Sequence, residues 1–405
     1  MIYVCDAIMG AGKSSAAMWH INHSDRRFVY MTPYLSEVNR VVKNCSDRNF
    51  VQPKGSDSGL GGKTADFYRL LRQGENIAST HAMFGRMDPD MTETIKSLGY
   101  DLVLDEVYNV LQNTVDHRRD MLDAIQLGYV QVEEGGWLKW TCDDYDGVVF
   151  AQMRNRIHSM KIMQASSDTN IAVLFPPEVF EAFQDVYIMT YMFDSSLMKY
   201  YFEMCGLEYQ KIWPMHVDDH YELSFTPQPR PAYTRHLVDH IHVVDDRINS
   251  IGDGRTALSA SWYARNRSKQ DGVDQLRRNL RTFQRRCGSG SYKNLMWCCF
   301  KEYKSKINDS HTMHGFVPVG IRATNEFSRR TDVAYLVNVF FNPYLKSAIE
   351  SNGVEVDEDG YALSEMIQWV WRSAIRDGKD ITLYVPSARM RELFVKWLQN
   401  LANAE

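Results

Sequence analysis

One glycine-rich octet constrains the fold more than any other feature of the chain. Ala7-Ile8-Met9-Gly10-Ala11-Gly12-Lys13-Ser14 lies between a short apolar, β-prone run at residues 2–5 and a helix-prone stretch at residues 14–21. A phosphate-binding loop needs glycines so that backbone N–H groups can turn inward onto phosphate oxygens. It also needs a lysine to reach the terminal phosphates, a hydroxyl for Mg²⁺, and a helix N-terminus beneath. The candidate nucleotide-binding residues are therefore Gly10, Ala11, Gly12, Lys13, Ser14 and Ser15, with Ser14 also a metal ligand. The first glycine of the pattern is replaced by Ala7, which is small enough for the position.

Such a loop must follow a strand, and the rest of the chain has the matching rhythm. Strand-like runs at 27–31, 76–79, 102–104 and 186–190 alternate with helical stretches at 35–43, 65–71 and 195–205, around a polar glycine loop at 55–62. The alternation resumes with strands at 295–300, 334–340 and 381–385 and helices at 364–375 and 388–401. This order predicts an α/β fold with doubly wound parallel sheets. At 405 residues the chain has room for two or three domains. The expected division is a first lobe over 1–205, with an insertion at about 116–170, and a second lobe over 251–405. Residues 206–250, carrying Pro214, Pro227, Pro229 and Pro231, are expected to connect the lobes.

Composition excludes several classes. With 44% apolar and 24% charged residues the chain is neither disordered nor fibrous. No window approaches the 18 or so consecutive apolar residues of a membrane span. Residues 1–6 have no basic segment and include Asp6 within the apolar stretch, unlike a signal peptide, so a cytoplasmic location is expected. Seven cysteines with no CxxC pair fit reduced thiols, not a zinc site.

The net charge of −5 argues against a nucleic-acid partner only as an average. Eleven acids against three bases fall in residues 101–150, and twelve bases against three acids fall in 261–306. Backbone phosphates attract Lys and Arg, and unpaired bases stack on flat rings. The second stretch interleaves its bases with Trp262, Tyr263, Phe283, Tyr292 and Trp297, of which Trp297 reads as core. Arg277, Arg278, Arg281, Arg285 and Arg286 lie within a few helical turns. Repulsion makes that cluster costly without an anionic partner, which predicts nucleic-acid contact.

Residues 102–104 read as a buried strand ending in Asp105-Glu106. In phosphate-loop ATPases the first acid of such a pair holds Mg²⁺ and the second polarises the attacking water. Lys13, Asp105 and Glu106 are thus candidate catalytic residues, with Ser14 and Asp105 the metal ligands.

These motifs, taken with others along the chain, resemble the superfamily 2 (DExx-box) helicases in their bacteriophage version. Thr32-Pro33-Tyr34-Leu35 with Arg40, and Ser79-Thr80-His81-Ala82-Met83-Phe84, are similar to elements that touch the nucleic-acid backbone. Thr190 and Tyr191 stand at the place of the motif that couples hydrolysis to strand movement. In the second lobe, Arg322-Ala323-Thr324-Asn325-Glu326 resembles a motif linking nucleic acid to nucleotide, with Thr324 and Asn325 as contacts. Gln368, Arg372 and Arg376 resemble the arginine-finger motif, although the second arginine lies eight residues after the glutamine, where seven is usual. At every fourth position they would share a helix face, as a solvated basic face also would. With the first strand-like run beginning at residue 2, no upstream glutamine motif is expected to read adenine.

The resemblance implies two RecA-like lobes with an acidic insertion in the first, and ATP and Mg²⁺ as cofactors. It implies nucleic acid as the partner, single-stranded DNA ahead of RNA, and phage replication or recombination in the bacterial host cytoplasm as the setting. The function expected is an ATP-dependent helicase or translocase. A terminase-like packaging motor, a nucleoside or nucleotide kinase, and a degenerate ATPase serving as a binding module stand as alternatives.

Overall fold

Strands at the centre of a parallel sheet are covered on both faces and read as continuous apolar runs. Leu102, Val103 and Leu104 form such a run and have no exposed surface. The computed structural model describes all residues except 56–61, 115–117, 152, 155–156, 158–160, 165–170, 267–269, 321–324 and 404–405. The chain is an α/β protein that divides into two compact units.

The first unit comprises Met1–Gln228 and Asn342–Val356. Its strands begin with β1 (Ile2–Asp6), β2 (Arg27–Thr32), β3 (Ile77–Thr80) and β4 (Tyr100–Asp105). The next five are β5 (Leu111–Thr114), β6 (Val130–Val132), β7 (Leu138–Trp140), β8 (Lys161–Gln164) and β9 (Ile171–Leu174). The last three are β10 (Val186–Thr190), β11 (Tyr209–Val217) and β12 (His220–Ser224). Seven of them form one sheet in the order β12-β11-β1-β10-β4-β2-β3. All its pairings are parallel except the β11–β12 hairpin. Helix α1 (Lys13–Asn22) follows β1 and α2 (Leu35–Asn44) follows β2. Ala17, Met18, Ile21, Val38 and Val41 turn inward from these helices onto Cys5, Phe28, Tyr30 and Met189.

The insertion after β4 builds its own small layer. Strands β5, β9 and β8 pair antiparallel, β6 and β7 form a hairpin, and Met121, Val130, Trp140, Phe150 and Ile162 share a separate core.

The division differs from the expected one in two places. Residues 206–250 do not form a connector throughout, because β11 and β12 extend the first sheet and the unit boundary falls at Gln228–Pro229. The segment Asn342–Val356, with helix Pro343–Glu350, belongs to the first unit although it lies far along the sequence.

The second unit, Pro229–Phe341 and Asp357–Glu405, holds a four-stranded parallel sheet. Its strands are β13 (Ile241–Val243), β14 (Leu295–Cys298), β15 (Asp332–Tyr335) and β16 (Ile381–Tyr384), in the order β13-β16-β15-β14. Helix α3 (Gln270–Arg286) buries Val273, Leu276, Leu280 and Phe283 in one core with Trp297 and Tyr384. Helices α4 (Glu358–Val370) and α5 (Ala388–Ala402) complete the unit. Tyr263, Phe283 and Trp297 are wholly buried, so these three aromatics belong to the core and not to a base-stacking surface.

Trp297 also donates its ring N–H to the carbonyl of Thr312 at 2.8 Å. Trp297→Ala should therefore destabilise the second unit by about 3–5 kcal/mol in denaturant unfolding, with Trp297→Phe costing less.

Candidate functional site

The registers of β1, β10 and β4 align their C-terminal ends. Asp6 lies opposite Thr190, and Met189 lies between Cys5 and Asp105. The loop after β1 and the acids after β4 are thus two strand spacings apart, about 9–10 Å. Side chains close that gap: Ser14 Oγ donates to Asp105 Oδ1 at 3.2 Å.

The loop has the backbone its glycines allow. Gly10 and Gly12 adopt φ of 86° and 89°, and Gly12 is the N-cap of α1. Ala7 has an ordinary negative φ and continues the sheet, donating its N–H to Thr190 O at 3.1 Å. Its position therefore makes no demand for glycine. Lys13 Nζ donates to the carbonyls of Ala7 and Ile8. Ala11 is buried and Ser15 exposed.

At the acidic strand end, burial pushes the Asp105 carboxyl up to about 7, helped by Glu106 and Glu37 and opposed by Arg40 and Lys13. Glu106 has φ of 65°, a left-handed conformation that costs a non-glycine residue about 1–2 kcal/mol. Backbone strain of this kind concentrates at functional sites. The Glu106 N–H donates to Met189 O at 2.9 Å, fixing the turn to β10.

Thr190, the last residue of β10, is buried, and Tyr191 just after it is half-buried. Asp6 accepts the N–H of Phe193 at 3.0 Å, which ties this segment to the strand that carries the loop. Burial raises the Asp6 carboxyl pKa.

The candidate nucleic-acid residues of the first unit separate. Pro33, Tyr34 and Thr80 are half-buried at the ends of β2 and β3. Thr80 lines a cavity of about 170 Å³ with Leu35, Gln52, Lys63, Ser79 and Arg86. His81, expected as a backbone contact, is instead buried with its ring edge-on to Tyr108 at 5.7 Å. Arg40 pairs with Glu37 at 3.0 Å, and both bear on Asp105 electrostatically.

In the second unit the arginine cluster of α3 finds its anions within the protein. Arg277 pairs with Asp274 at 3.0 Å, Arg281 with Asp309 at 2.7 Å and Arg286 with Asp246 at 3.6 Å. The premise that the cluster needs an external anion is thus corrected for these three. Arg278, bonded to Gln275, and Arg285 stand exposed.

Gln368, Arg372 and Arg376 do not share a helix. Helix α4 ends at Val370, where Ser373 turns extended and its Oγ donates to Val370 O at 2.7 Å. Gln368 is half-buried on α4. Arg372 follows it, half-buried near Cys298 and Tyr335, and Arg376 is exposed on a 3₁₀ turn, Ala374–Asp377. Thr324, with Arg322 and Ala323, lies outside the described residues. Asn325 begins a short 3₁₀ turn, Asn325–Phe327.

Comparison with known proteins finds a prophage-derived relative. It is 32% identical over 410 residues to the SPbeta prophage-derived uncharacterized protein YonV of Bacillus subtilis (strain 168), spanning 98% of this chain and 99% of the relative. The chain belongs to the YonV family. The model of the YonV C-terminal Rossmann-like domain matches residues 235–398, within the part that carries the four-stranded parallel sheet. Among solved structures, Xpd4 of S. tokodaii is similar over 98% of this chain and 94% of that chain, at 10% identity and a TM-score of 0.45.

In this family member, sequence reasoning missed Asp6 and, above all, Tyr221. A Cβ built on Gly12 would lie 2.3–2.6 Å from three carbons of the Tyr221 ring. Only the hairpin pairing, which sets Tyr221 opposite His216, brings that residue to the loop.

Gly12 is therefore required twice, by its φ and by its neighbour. Gly12→Ala should lower stability in urea unfolding by more than the 1–2 kcal/mol or so of the dihedral alone. In the Tyr221→Ala background the same change should cost only that dihedral part, a coupling read by a double-mutant cycle.

Proposed function

We propose that the chain is a nucleoside triphosphate hydrolase coupled to a nucleic-acid strand, a helicase or translocase using ATP and Mg²⁺. The observation that carries this reading is the 3.2 Å contact of Ser14 Oγ with Asp105 Oδ1 above a loop bent at Gly10 and Gly12. A hydroxyl and a carboxylate so placed are hard oxygen donors of the kind Mg²⁺ takes, with phosphate oxygens and water completing its shell. The N-terminus of α1 with the Lys13 ammonium fits a polyphosphate. When bound, the Mg²⁺–ATP complex would supply a phosphoanhydride whose charge the metal partly neutralises.

The chain's own residues would do the rest. The Gly10–Ser15 backbone cradles phosphate, and Lys13 turns its ammonium from the loop carbonyls toward it. Ser14 and Asp105 hold the cation. Glu106, set off the strand line by its left-handed backbone, orients water and accepts its proton. Asp6 and Thr190 tie this machinery to the turn after β10, where Tyr191 follows. Of the two arginines in the segment that resembles the arginine-finger motif, Arg376 is the more exposed and Arg372 is half-buried.

For the strand, the reading uses Pro33, Tyr34 and Thr80, adds Lys63 and Arg86 from the adjoining cavity, and takes Arg278 and Arg285 in the second unit. A prophage-derived relative fits work on phage DNA.

ATP hydrolysis by the full chain should rise on adding single-stranded DNA or RNA. Lys13→Ala should abolish hydrolysis. Glu106→Gln should keep nucleotide binding and slow turnover by about 10²–10⁴-fold. If no nucleic acid stimulates turnover, strand coupling falls and only the hydrolase remains.

Arg278→Glu with Arg285→Glu should weaken binding to single-stranded DNA of any sequence. The double change should also flatten its dependence on salt by about one unit of slope per lost contact. An unchanged salt slope would remove these two residues from the strand path.

A further inference from the structure

We infer that the β11–β12 hairpin holds the nucleoside half of the nucleotide, with the Tyr221 ring as its stacking surface. The inference rests on the nucleotide reading of the loop and gives the bound molecule a direction.

The sheet order β11-β1-β10-β4 leaves the loop at the end of β1 with two flanks. One flank carries Asp105 and Glu106, reached by Ser14, so the cation and the terminal phosphates belong there. The nucleoside is assigned to the other flank, which is the hairpin.

The hairpin is shaped to meet it. Strand β11 pairs with β1 only from Tyr209 to Ile212. Its remaining residues run past those partners and pair with β12, Trp213 opposite Ser224 through Val217 opposite His220. The returning strand sets Tyr221 against Gly12, close enough that even a methyl group there would overlap the ring. The ring of His216 packs edge-on to Tyr221 at 4.8 Å.

The mounting is anchored from α1. Trp19 stacks on His220 with centroids 5.0 Å apart and an interplanar angle of 11°, and on His23 at 4.1 Å. His220 Nε2 hydrogen-bonds Glu222 at 2.8 Å. An aromatic ring set beside a phosphate cradle and flanked by His216 suits a planar base, since every base offers a π-face. Such a face reads flatness and area but not exocyclic groups. The ligand class is therefore nucleotides, with little choice between adenine and guanine.

Calorimetric titration of the full chain in Mg²⁺, with ADP, GDP and inorganic pyrophosphate as probes, tests this. The wild type should bind ADP at least about tenfold more tightly than pyrophosphate, and GDP within about threefold of ADP. Tyr221→Ala should lose the margin over pyrophosphate while pyrophosphate affinity stays unchanged, which also shows the loop intact. Tyr221→Leu keeps an apolar contact with Gly12 but has no π-face, and should lose the margin too. Tyr221→Phe should keep it. Unchanged or tighter ADP binding in Tyr221→Ala would overturn the inference, the tighter case meaning that the ring obstructs the loop. A large preference between ADP and GDP would overturn the stated specificity. If the wild type binds pyrophosphate but gains nothing from the nucleoside, the hairpin role fails and the phosphate loop stands. If it binds none of the probes, the nucleotide reading fails first.

Discussion

The position of β1 inside its sheet is the constraint on which the N-terminal unit depends. Because β10 and β11 both pair with it in parallel, whatever follows its last residue emerges at the sheet's carboxyl edge between two fixed neighbours. β10 sets the distance to Asp105, and β11 brings the hairpin. Ser14 spans the first of these spacings and Tyr221 closes the second. A shift of one residue in either register would turn alternate side chains to the opposite face and separate the pair that register sets.

What was legible in the sequence follows from this. Glycine, lysine and serine at fixed offsets between a strand and a helix have few physical uses, so residues 7–15 declared themselves. The Leu102–Leu104 run with its terminal acids did the same, because an apolar stretch bounded by carboxylates is what a buried strand ending at a polar edge looks like. The α/β class needed no more than the alternation of periodicities.

The misread parts have specific causes. Pro214 suggested a connector, since proline removes a ladder hydrogen bond. It lies in β11 beyond the residues that pair with β1, where the central sheet asks nothing of its nitrogen. The helix expected over 364–375 stops early because the Ser373 hydroxyl takes the Val370 carbonyl, a local competition that periodicity does not register. Arg281 and Arg286 of α3 seemed to lack partners because Asp309 and Asp246 are distant in sequence and adjacent only in the folded unit. His81 and Arg40 show the same limit: the direction of neither side chain can be read from its place in the sequence.

The return of Asn342–Val356 to the first unit has a consequence for how the molecule holds together. The chain passes from one unit to the other at Gln228–Pro229, again at Phe341–Asn342, and a third time at Val356–Asp357. A single cut therefore cannot release either unit whole: a fragment ending at Gln228 would lack part of its own wall, and its complement would carry that part as a tether. Joined at three points and not at one, the two units cannot be parted at a single linker as beads on one thread can.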